Sequence, residues 1–261
     1  MKQVIAPVVS KGVRLPPLLR RGIAFSQTIT FHCPEIAVES KPGQFVMVRC
    51  GDSVLPRPFS IHQVNAQGDL MLYFAVFEKG KGTQWLSQRS VGDKVEIFGP
   101  LGNGFLEPVS HSLLLIAGGM GIAPLYFLAQ EASMKKLSAT LLYGTAVENP
   151  YPGDTSGIRL IRATDDGSVG HRGLVTDLIP EHAKEADHVF ACGPLPMYRA
   201  MAKMPALKNK PVQVSLEVVM GCGRGVCYGC TIKTKSGLKK VCEDGPVFNL
   251  NDILWDELGS V

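Results

Sequence analysis

The feature that most constrains this chain is a run of cysteines near its C-terminal end. Cys222, Cys227, Cys230 and Cys242 follow the spacing C-x4-C-x2-C-x11-C and account for four of the seven cysteines. The first three reproduce the C-x4-C-x2-C loop that, with one distal cysteine, holds a plant-type [2Fe–2S] cluster. Glycines at 221, 223, 225 and 229 let the backbone wrap closely enough for amides to point at sulfur. The spacing therefore predicts one-electron chemistry.

Two other uses of four cysteines are weaker matches to this spacing. A structural zinc site usually shows two separated C-x2–4-C pairs, whereas only Cys227 and Cys230 form such a pair here. A disulfide framework is typical of small secreted domains and does not suit a chain of 261 residues with its own core. Zinc is the main alternative on spacing alone, and disulfides rank below it.

Composition describes a folded chain with one large or two ordinary domains and a small appendage. Hydrophobic residues make up 45% and charged residues 19%, and the net charge of +4 gives no case for a nucleic-acid partner. No apolar run is long enough to span a bilayer, so we expect no membrane association. The first 22 residues lack the apolar stretch of a secretory signal. Cysteines used as metal ligands without an export signal indicate the cytoplasm.

The first third of the chain shows short strands separated by turns. A first strand is expected near the N-terminus, and the following ones are Thr28–Phe31, Phe45–Val48, Ser60–His62, Leu70–Phe74 and Lys94–Phe98. Glycine-containing turns such as Pro42-Gly43 and Gly92-Asp93 separate them. Regular spacing of this kind, without helical periodicity, predicts a small antiparallel barrel.

Two short motifs lie on this predicted barrel. The first, Arg57-Pro58-Phe59-Ser60, combines a bidentate phosphate donor, a fixed φ and a hydroxyl at the start of a strand. The second, Gly80 to Thr83, would let backbone amides approach a pyrophosphate, with Thr83 capping a helix that begins at Gln84. Each motif alone is as consistent with an ordinary surface loop or loop-to-helix junction.

From Ser112 onward, strands alternate with helices. The apolar run Leu113–Ala117 is typical of a strand buried on both faces. It leads into the glycine turn Gly118–Pro124 and then a helix from Leu125, an arrangement that makes an anion site at the helix N-terminus. The turn departs from G-x-G-x-x-G because residue 124 is proline, and no acidic residue clearly takes the ribose-binding part. A turn needed only for packing is the alternative.

Three further strands are predicted at Ala139–Tyr143, Ile158–Ala163 and Val189–Cys192. Their polar or glycine-rich ends, which include Asp166 and Cys192-Gly193-Pro194, should meet at one crevice because ligands of open α/β sheets lie at the carboxyl ends of strands. Cys192 is equally well explained as a small buried side chain. Cys33 and Cys50 are expected to be packing residues. His62, His111 and His171 lack partner spacing and are expected to be surface or hydrogen-bonded residues.

Taken in this order, the motifs resemble the ferredoxin–NADP reductase superfamily and, within it, the electron-transfer subunits of NAD-dependent, class 1B dihydroorotate dehydrogenases. The similarity covers nearly the whole chain. Its supporting motifs include Arg57 to Ile61, Gly82-Thr83, Gly99 to Phe105, Gly118 to Pro124, Cys192 to Pro194, Ser215 to Glu217, Met220 to Gly223 and Asp244 to Phe248. The resemblance implies an α+β multidomain fold: an antiparallel flavin-binding β-barrel (1–108), a parallel α/β NAD-binding domain (109–211) and a small C-terminal [2Fe–2S] subdomain (212–261).

The resemblance also implies cofactors, contacts and a partner. FAD is expected to contact Arg57, Pro58, Phe59, Ser60, Ala75, Val76, Phe77, Gly82 and Thr83. NAD is expected at Gly118, Gly119, Gly121, Ile122, Pro124, Asp166, Cys192, Gly193 and Pro194, and the cluster on the four C-terminal cysteines. Relatives dock on an FMN-containing subunit that oxidises dihydroorotate, as heterotetramers of two copies of each. Electrons then run from FMN through the cluster and FAD to NAD, and no acid–base residue of this chain is required.

One departure from the family pattern concerns flavin affinity. Relatives often carry a Tyr-Arg pair where this chain has Val76-Phe77, so the arginine's charge on the flavin phosphates is lost or replaced by Lys79 or Lys81. The first alternative function is a related NADP-using subunit of a hydrogenase or transhydrogenase complex. The second is a non-catalytic interaction subunit that kept the fold and lost flavin.

Overall fold

The computed structural model describes residues 1–15, 22–106, 112–151 and 157–259. Six strands within these ranges close into a barrel in which every neighbouring pair is antiparallel. They are β1 (Lys2–Lys11), β2 (Ile23–His32), β3 (Phe45–Val48), β4 (Arg57–Val64), β5 (Asp69–Phe77) and β6 (Lys94–Leu101), ordered β1-β2-β5-β4-β3-β6. The predicted barrel and its expected first strand are confirmed.

Alternate side chains of each strand point into the barrel and fill it. The sequence of these strands therefore lacks the continuous apolar runs of a strand that is buried on both faces. Ile29 and Phe31 of β2 and Leu70 and Leu72 of β5 are completely buried. Two short helices, α1 (Pro34–Ala37) and α2 (Lys81–Ser87), connect the strands. Helix α2 begins three residues earlier than predicted, because the Thr83 hydroxyl donates to the Gly80 carbonyl from inside the first turn (3.2 Å) instead of capping the helix.

The second unit is built on a seven-stranded sheet with the order β10-β9-β8-β7-β11-β12-β15. Its elements are β7 (Ser112–Gly118), α3 (Ile122–Met134), β8 (Ser138–Thr145), β9 (Arg159–Thr164), β10 (His171–Arg172), α4 (Ile179–His182), β11 (His188–Cys192), α5 (Leu195–Ala202) and β12 (Val212–Ser215). All pairs among β7 to β12 are parallel. The predicted α/β domain is confirmed, but α3 begins at Ile122 rather than Leu125 because Gly119–Gly121 form a 3-10 turn that leads directly into it.

The C-terminal segment adds one strand to this sheet and a small hairpin beside it. Strands β13 (Thr231–Thr234) and β14 (Gly237–Lys240) form the hairpin, followed by α6 (Val241–Asp244). Strand β15 (Val247–Asn249) then pairs antiparallel with β12, which makes the sheet mixed. The boundary expected between residues 211 and 212 falls at the start of β12, so the cluster segment and the nucleotide-binding unit share a sheet.

One hydrophobic core joins all three parts of the fold. Met47 and Phe98 of the barrel pack in the same buried cluster as Ile116 and Val214 of the sheet and Trp255 of the C-terminal segment. Because protein interiors are close-packed, this shared core fixes the three parts relative to one another. No helix within the described ranges has the length and apolarity to cross a bilayer.

Candidate functional site: two clefts and a four-cysteine loop

The first cleft, of about 270 Å³, lies between the barrel and the segment that follows β12. The sequence-predicted FAD residues that line it are Pro58, Phe59, Ser60, Ala75, Phe77 and Thr83. They come from β4, β5 and α2, which the antiparallel pairing of β4 with β5 brings side by side. Five of its lining residues are aromatic, which suits an isoalloxazine ring more than a small polar ligand: Phe45, Phe59, Tyr73, Phe74 and Phe77.

Arg57 and Gly82 meet beside this cleft. The Arg57 guanidinium donates to the Leu55 carbonyl (2.7 Å), and its aliphatic stem runs along Gly82, where an added Cβ would lie 3.0 Å from Cγ of Arg57. Glycine at 82 therefore lets the arginine lie flat against the first turn of α2. The arrangement leaves the remaining guanidinium donors available for an anion at the cleft's edge.

Successive side chains of a strand point to opposite faces, and this places the three predicted FAD residues of β5 on different sides of the barrel wall. Ala75 and Phe77 line the cleft, whereas the Val76 side chain is 1% exposed and packs in the barrel core. Any contribution of Val76 to a ligand must come from its backbone. Phe77 is 47% exposed and presents an aromatic ring at the cleft's rim.

The second cleft, of about 280 Å³, lies at the carboxyl ends of the parallel strands. Gly118, Gly119 and Pro194 line it, together with Asp165 and Thr176. Gly121 supports it from beneath, because a Cβ at this position would clash with the Cys192 carbonyl. The glycine turn and the Cys192–Pro194 turn thus pack directly on each other, as the crevice rule for open α/β sheets requires.

Several predicted NAD residues lie beneath the second cleft rather than on its surface. The side chains of Ile122, Pro124 and Cys192 are buried, and burial raises the pKa of the Cys192 thiol well above its usual value, so it stays protonated. The Asp166 carboxylate accepts hydrogen bonds from the side chain and backbone of Ser168 (2.7 and 2.9 Å), which lower its pKa. Asp166 therefore stabilises its own turn, and its neighbour Asp165 faces the cleft.

Met120 lines both clefts. This residue belongs to the 3-10 turn between β7 and α3, so ligands in the two clefts would approach each other across it. The structure therefore joins a cleft that contains several aromatic residues to a cleft at the carboxyl ends of parallel strands, and hydride exchange between flavin and nicotinamide requires two adjacent sites.

His62 connects the barrel to the nucleotide-binding unit. It is completely buried two residues after Ser60, where its Nδ1 bonds the Ala123 carbonyl of α3 (2.8 Å) and its Nε2 bonds the Tyr151 hydroxyl. Desolvation lowers its pKa to about 4, despite the opposing effect of the Ala123 hydrogen bond. The expectation of a hydrogen-bonded histidine holds for His62, and His171 lies exposed near Asp177 (3.5 Å). His111 lies outside the described residues.

The four C-terminal cysteines converge on one loop. Their thiols are free, and backbone amides point at two sulfurs: Arg224 N to Cys222 Sγ (3.3 Å) and Gly225 N to Cys242 Sγ (3.2 Å). The Cys242 amide likewise points at Cys230 Sγ (3.4 Å). Partial burial raises the pKa of Cys222, but backbone N–H groups outweigh it and lower the pKa to about 7. Burial raises the pKa of Cys242 to about 12.

The thiols lie as two neighbouring pairs, Cys222 with Cys227 and Cys230 with Cys242. A four-cysteine [2Fe–2S] cluster takes two ligands on each of its two irons, whereas zinc draws all four ligands to one tetrahedral centre. In the described part of the chain, no three histidine, cysteine or acidic side chains are placed to hold one metal ion. The donor set and its pairing therefore fit the two-iron cluster better than zinc.

The cysteine loop starts at the wall of the first cleft. Met220 lines that cleft, and Cys222 follows two residues later, so their Cα atoms are within about 7.6 Å of each other. The barrel motif Gly99 to Phe105 also contacts the end of the loop, since the Asn103 amide N–H donates to the Gly245 carbonyl (2.6 Å). The cysteine site and the first cleft are therefore adjacent parts of one assembly.

Comparison with known proteins identifies the barrel and the cysteine segment. A family model described as an oxidoreductase FAD-binding domain matches residues 25–105. A second, described as the iron–sulfur cluster binding domain of dihydroorotate dehydrogenase B, matches residues 217–254. The chain is 40% identical over 241 residues to the electron transfer subunit of dihydroorotate dehydrogenase B (NAD(+)) from Desulforamulus reducens, covering 87% of this chain and 91% of the relative. The Caldanaerobacter subterraneus subunit is 39% identical over 220 residues (82% and 87%).

The chain belongs to the family of dihydroorotate dehydrogenase B (NAD(+)) electron transfer subunits. Members of this family are oxidoreductase subunits that use flavin and iron–sulfur chemistry, and the FAD and cluster segments of this chain match accordingly. A solved structure described as an NADH-dependent reduced ferredoxin–NADP oxidoreductase is also similar, with a TM-score of 0.84 at 27% identity over 98% of this chain and 91% of that one. The same three-part fold thus serves this electron transfer subunit and a flavin-based bifurcating enzyme.

Sequence reasoning missed one part of the first cleft. This part begins at the end of β12, a strand of the seven-stranded sheet, and its lining residues are Ser215, Leu216, Glu217, Val218 and Met220. Their signal was present, because Ser215 to Glu217 and Met220 belong to the motifs that carry the family resemblance. Tyr73 and Ala123 also line the cleft and carried no signal of their own in the sequence.

Proposed function

We propose that this chain passes electrons from a dihydroorotate-oxidising partner subunit to NAD⁺. When bound, the [2Fe–2S] cluster supplies single-electron exchange and FAD converts between single electrons and the hydride of NADH. The single observation that carries this proposal is the continuous arrangement of its three sites. Met120 borders both clefts, and Met220 borders the flavin cleft two residues before Cys222.

The residues of this chain have distinct parts in that proposal. Ser60, Ala75 and Thr83 would hold FAD against the barrel, and Arg57 would meet its phosphates at the edge of α2. Gly118 and Gly119 would admit the NAD phosphates to the start of α3, where backbone amides favour anions. Cys222, Cys227, Cys230 and Cys242 would ligate the cluster, with amides stabilising the charge on sulfur.

The partner would dock on the surface that surrounds Cys227. Four apolar side chains there are strongly exposed: Val54, Val219, Val226 and Tyr228, at 89%, 74%, 72% and 66%. Leu55 adds to this surface beside Gly221. Exposed apolar side chains gathered around a functional group are typical of protein interfaces. We propose that the occupant is the FMN-containing catalytic subunit, in a heterotetramer of two copies of each chain, working in the cytoplasm, where seven free thiols persist.

The alternative of a transhydrogenase-type subunit is supported by its similar fold alone at 27% identity. The dihydroorotate family matches at about 40% over most of the chain and includes the cluster segment by name. The interaction-subunit alternative predicts no flavin cleft, and a cleft lined by the predicted motif residues argues against it.

The test is to coexpress this chain with the catalytic subunit and purify the pair anaerobically. Flavin and iron–sulfur absorption bands should appear, and dihydroorotate should reduce NAD⁺ only when both chains are present. Cys227→Ala should abolish this coupled reaction while NADH still reduces the bound FAD. Full coupled activity in the variant would refute the role of the cluster as a relay.

A matched pair of variants tests the docking surface. Tyr228→Lys should prevent copurification of the catalytic subunit but leave cluster absorption and flavin reduction by NADH unchanged. Val38→Asp changes a valine of similar exposure (81%) next to α1 and should copurify normally. Equal copurification of the two variants would show that the partner binds elsewhere.

A further inference from the structure

Two consecutive amides of the cysteine loop point at sulfurs of different cysteines. Arg224 N lies 3.3 Å from Cys222 Sγ, and Gly225 N lies 3.2 Å from Cys242 Sγ. Arg224 is flanked by two glycines with positive φ, +67° at Gly223 and +71° at Gly225. Successive N–H groups in such a turn form a concave anion site of the kind that stabilises iron–sulfur centres. The two peptide units on either side of the Arg224 Cα therefore control the two N–H···S contacts.

The side chain of Arg224 fixes this turn to the barrel. Its guanidinium carbon lies 4.5 Å from the centre of the Phe98 ring, and its Nη2 donates to Gln3 Oε1 (3.3 Å). Gln3 and Phe98 are register partners on β1 and β6, so both contacts come from one spot on the barrel wall. Gln3 is itself held by the hydrogen bond from its Nε2 to Glu96 (2.6 Å).

A second contact of the same turn supports this anchorage. A Cβ added at Gly223 would lie 2.6 Å from Cγ of Met47, a buried residue of β3 that pairs with Phe98. The turn therefore lies directly on the barrel wall, with its backbone on Met47 and its arginine on Phe98. The flavin barrel, rather than the cysteine segment alone, holds the two amides in position.

We infer that Arg224 is a positioning residue that sets the reduction potential of the cluster, by holding the two N–H groups against Cys222 and Cys242 through its contacts with Phe98 and Gln3. The inference rests on the proposed cluster site. N–H groups directed at sulfur stabilise the reduced cluster more than the oxidised one, because reduction adds negative charge, and hydrogen bonds to the sulfurs are an established determinant of the potential. Releasing the turn should therefore make the cluster harder to reduce.

The test is a redox titration of the cluster in the anaerobically purified complex, followed by its electron paramagnetic resonance signal. Arg224→Gln should lower the equilibrium constant for one-electron reduction about tenfold, a shift of about 59 mV. Arg224→Lys keeps the positive charge but loses the stacking of the planar guanidinium on Phe98, and it should lower this equilibrium constant about threefold or more. Gln3→Ala removes one anchor at the surface and should shift the potential in the same direction by less.

Lys239→Gln is the matched control for charge. Lys239 lies in the same segment, 3.7 Å from Asp244, and touches neither amide, so its loss should leave the potential nearly unchanged. If Arg224→Lys behaves as wild type and Arg224→Gln shifts no more than Lys239→Gln, the positioning role is overturned. A wild-type protein that takes up no [2Fe–2S] cluster would instead overturn the proposed function.

Discussion

His62 should make the stability of this protein depend on pH in a range where most side chains of the fold do not titrate. The imidazole is enclosed by Tyr73, Tyr126 and Tyr151, and the Tyr126 ring is stacked on it at 4.9 Å. Its two nitrogens bond the Ala123 carbonyl and the Tyr151 hydroxyl. No carboxylate is among these described contacts, so a proton on the ring would gain no ion pair.

The size of the effect follows from the pKa of about 4 in the folded chain and the ordinary value of 6.5. Because the folded-state pKa is depressed, the unfolded chain binds more protons between these two values. The stabilisation is complete above pH 6.5 and is lost as the pH falls through 4. A difference of this size amounts to about 3 kcal/mol, a large fraction of the stability of an ordinary domain.

The assay is a nuclear magnetic resonance titration of the protein with labelled histidine rings, combined with urea unfolding at pH 7 and pH 4.5. We expect the ring signal of His62 to titrate near pH 4. His62→Gln keeps a neutral hydrogen-bonding side chain, so it should lose less stability than wild type between the two pH values. A His62 signal that titrates near 6.5, or equal pH slopes in the two proteins, would refute the reasoning.

Further variants test the two clefts. Gly121→Ala should cost several kcal/mol of stability and abolish NAD binding, because the added Cβ would clash with the Cys192 carbonyl. An added Cβ at Gly119 meets open space, so Gly119→Ala should cost only the about 1–2 kcal/mol that its φ of +54° imposes on a residue with a side chain. Calorimetry measures the loss of stability and NADH titration measures nucleotide binding. Equal effects of the two variants would contradict the close packing of Gly121 on Cys192. Arg57→Ala should weaken FAD binding about tenfold or more, the loss of a charge-assisted hydrogen bond, as measured by fluorescence quenching. Phe77→Arg should strengthen FAD binding about two- to fivefold, as a solvent-exposed ion pair would; unchanged binding would contradict this expectation and favour Lys79 or Lys81 as the replacement charge.

Much of the architecture could be predicted because the relevant signals are local. Barrel strands such as Phe45–Val48 are bounded by turn residues, and the apolar run at Leu113–Ala117 is typical of a parallel strand, so both appear where expected. The spacing of the cysteines is likewise a local signal, because the first three ligands belong to a single loop. Element ends were less well predicted, because a 3-10 turn at Gly119–Gly121 continues into α3 with no sequence signal at the junction.

What could not be predicted depends on contacts between distant segments. The pairing of β15 with β12 brings residues 247–249 next to 213–215, and neither segment's composition encodes the other. Asp165, not Asp166, faces the nucleotide cleft, because the Ser168 hydrogen bonds turn the Asp166 carboxylate into its own loop. Two adjacent carboxylates look equivalent in sequence, and only the turn distinguishes them.

Contacts between distant segments also hold the part of the chain that connects the flavin cleft to the cysteines. From Ser215 at the end of β12, the chain runs along the flavin cleft to Met220 and reaches Cys222 two residues later. It is held at its start by the Leu216 amide, which donates to the Pro246 carbonyl (2.9 Å), and at its end by Arg224 on Phe98. Because Phe98 lies in β6 and Pro246 directly precedes β15, the flavin cleft and the cysteine site should keep a fixed separation when the partner binds. Electron transfer within the chain would then be independent of docking, and only the step from the partner would depend on the surface around Cys227.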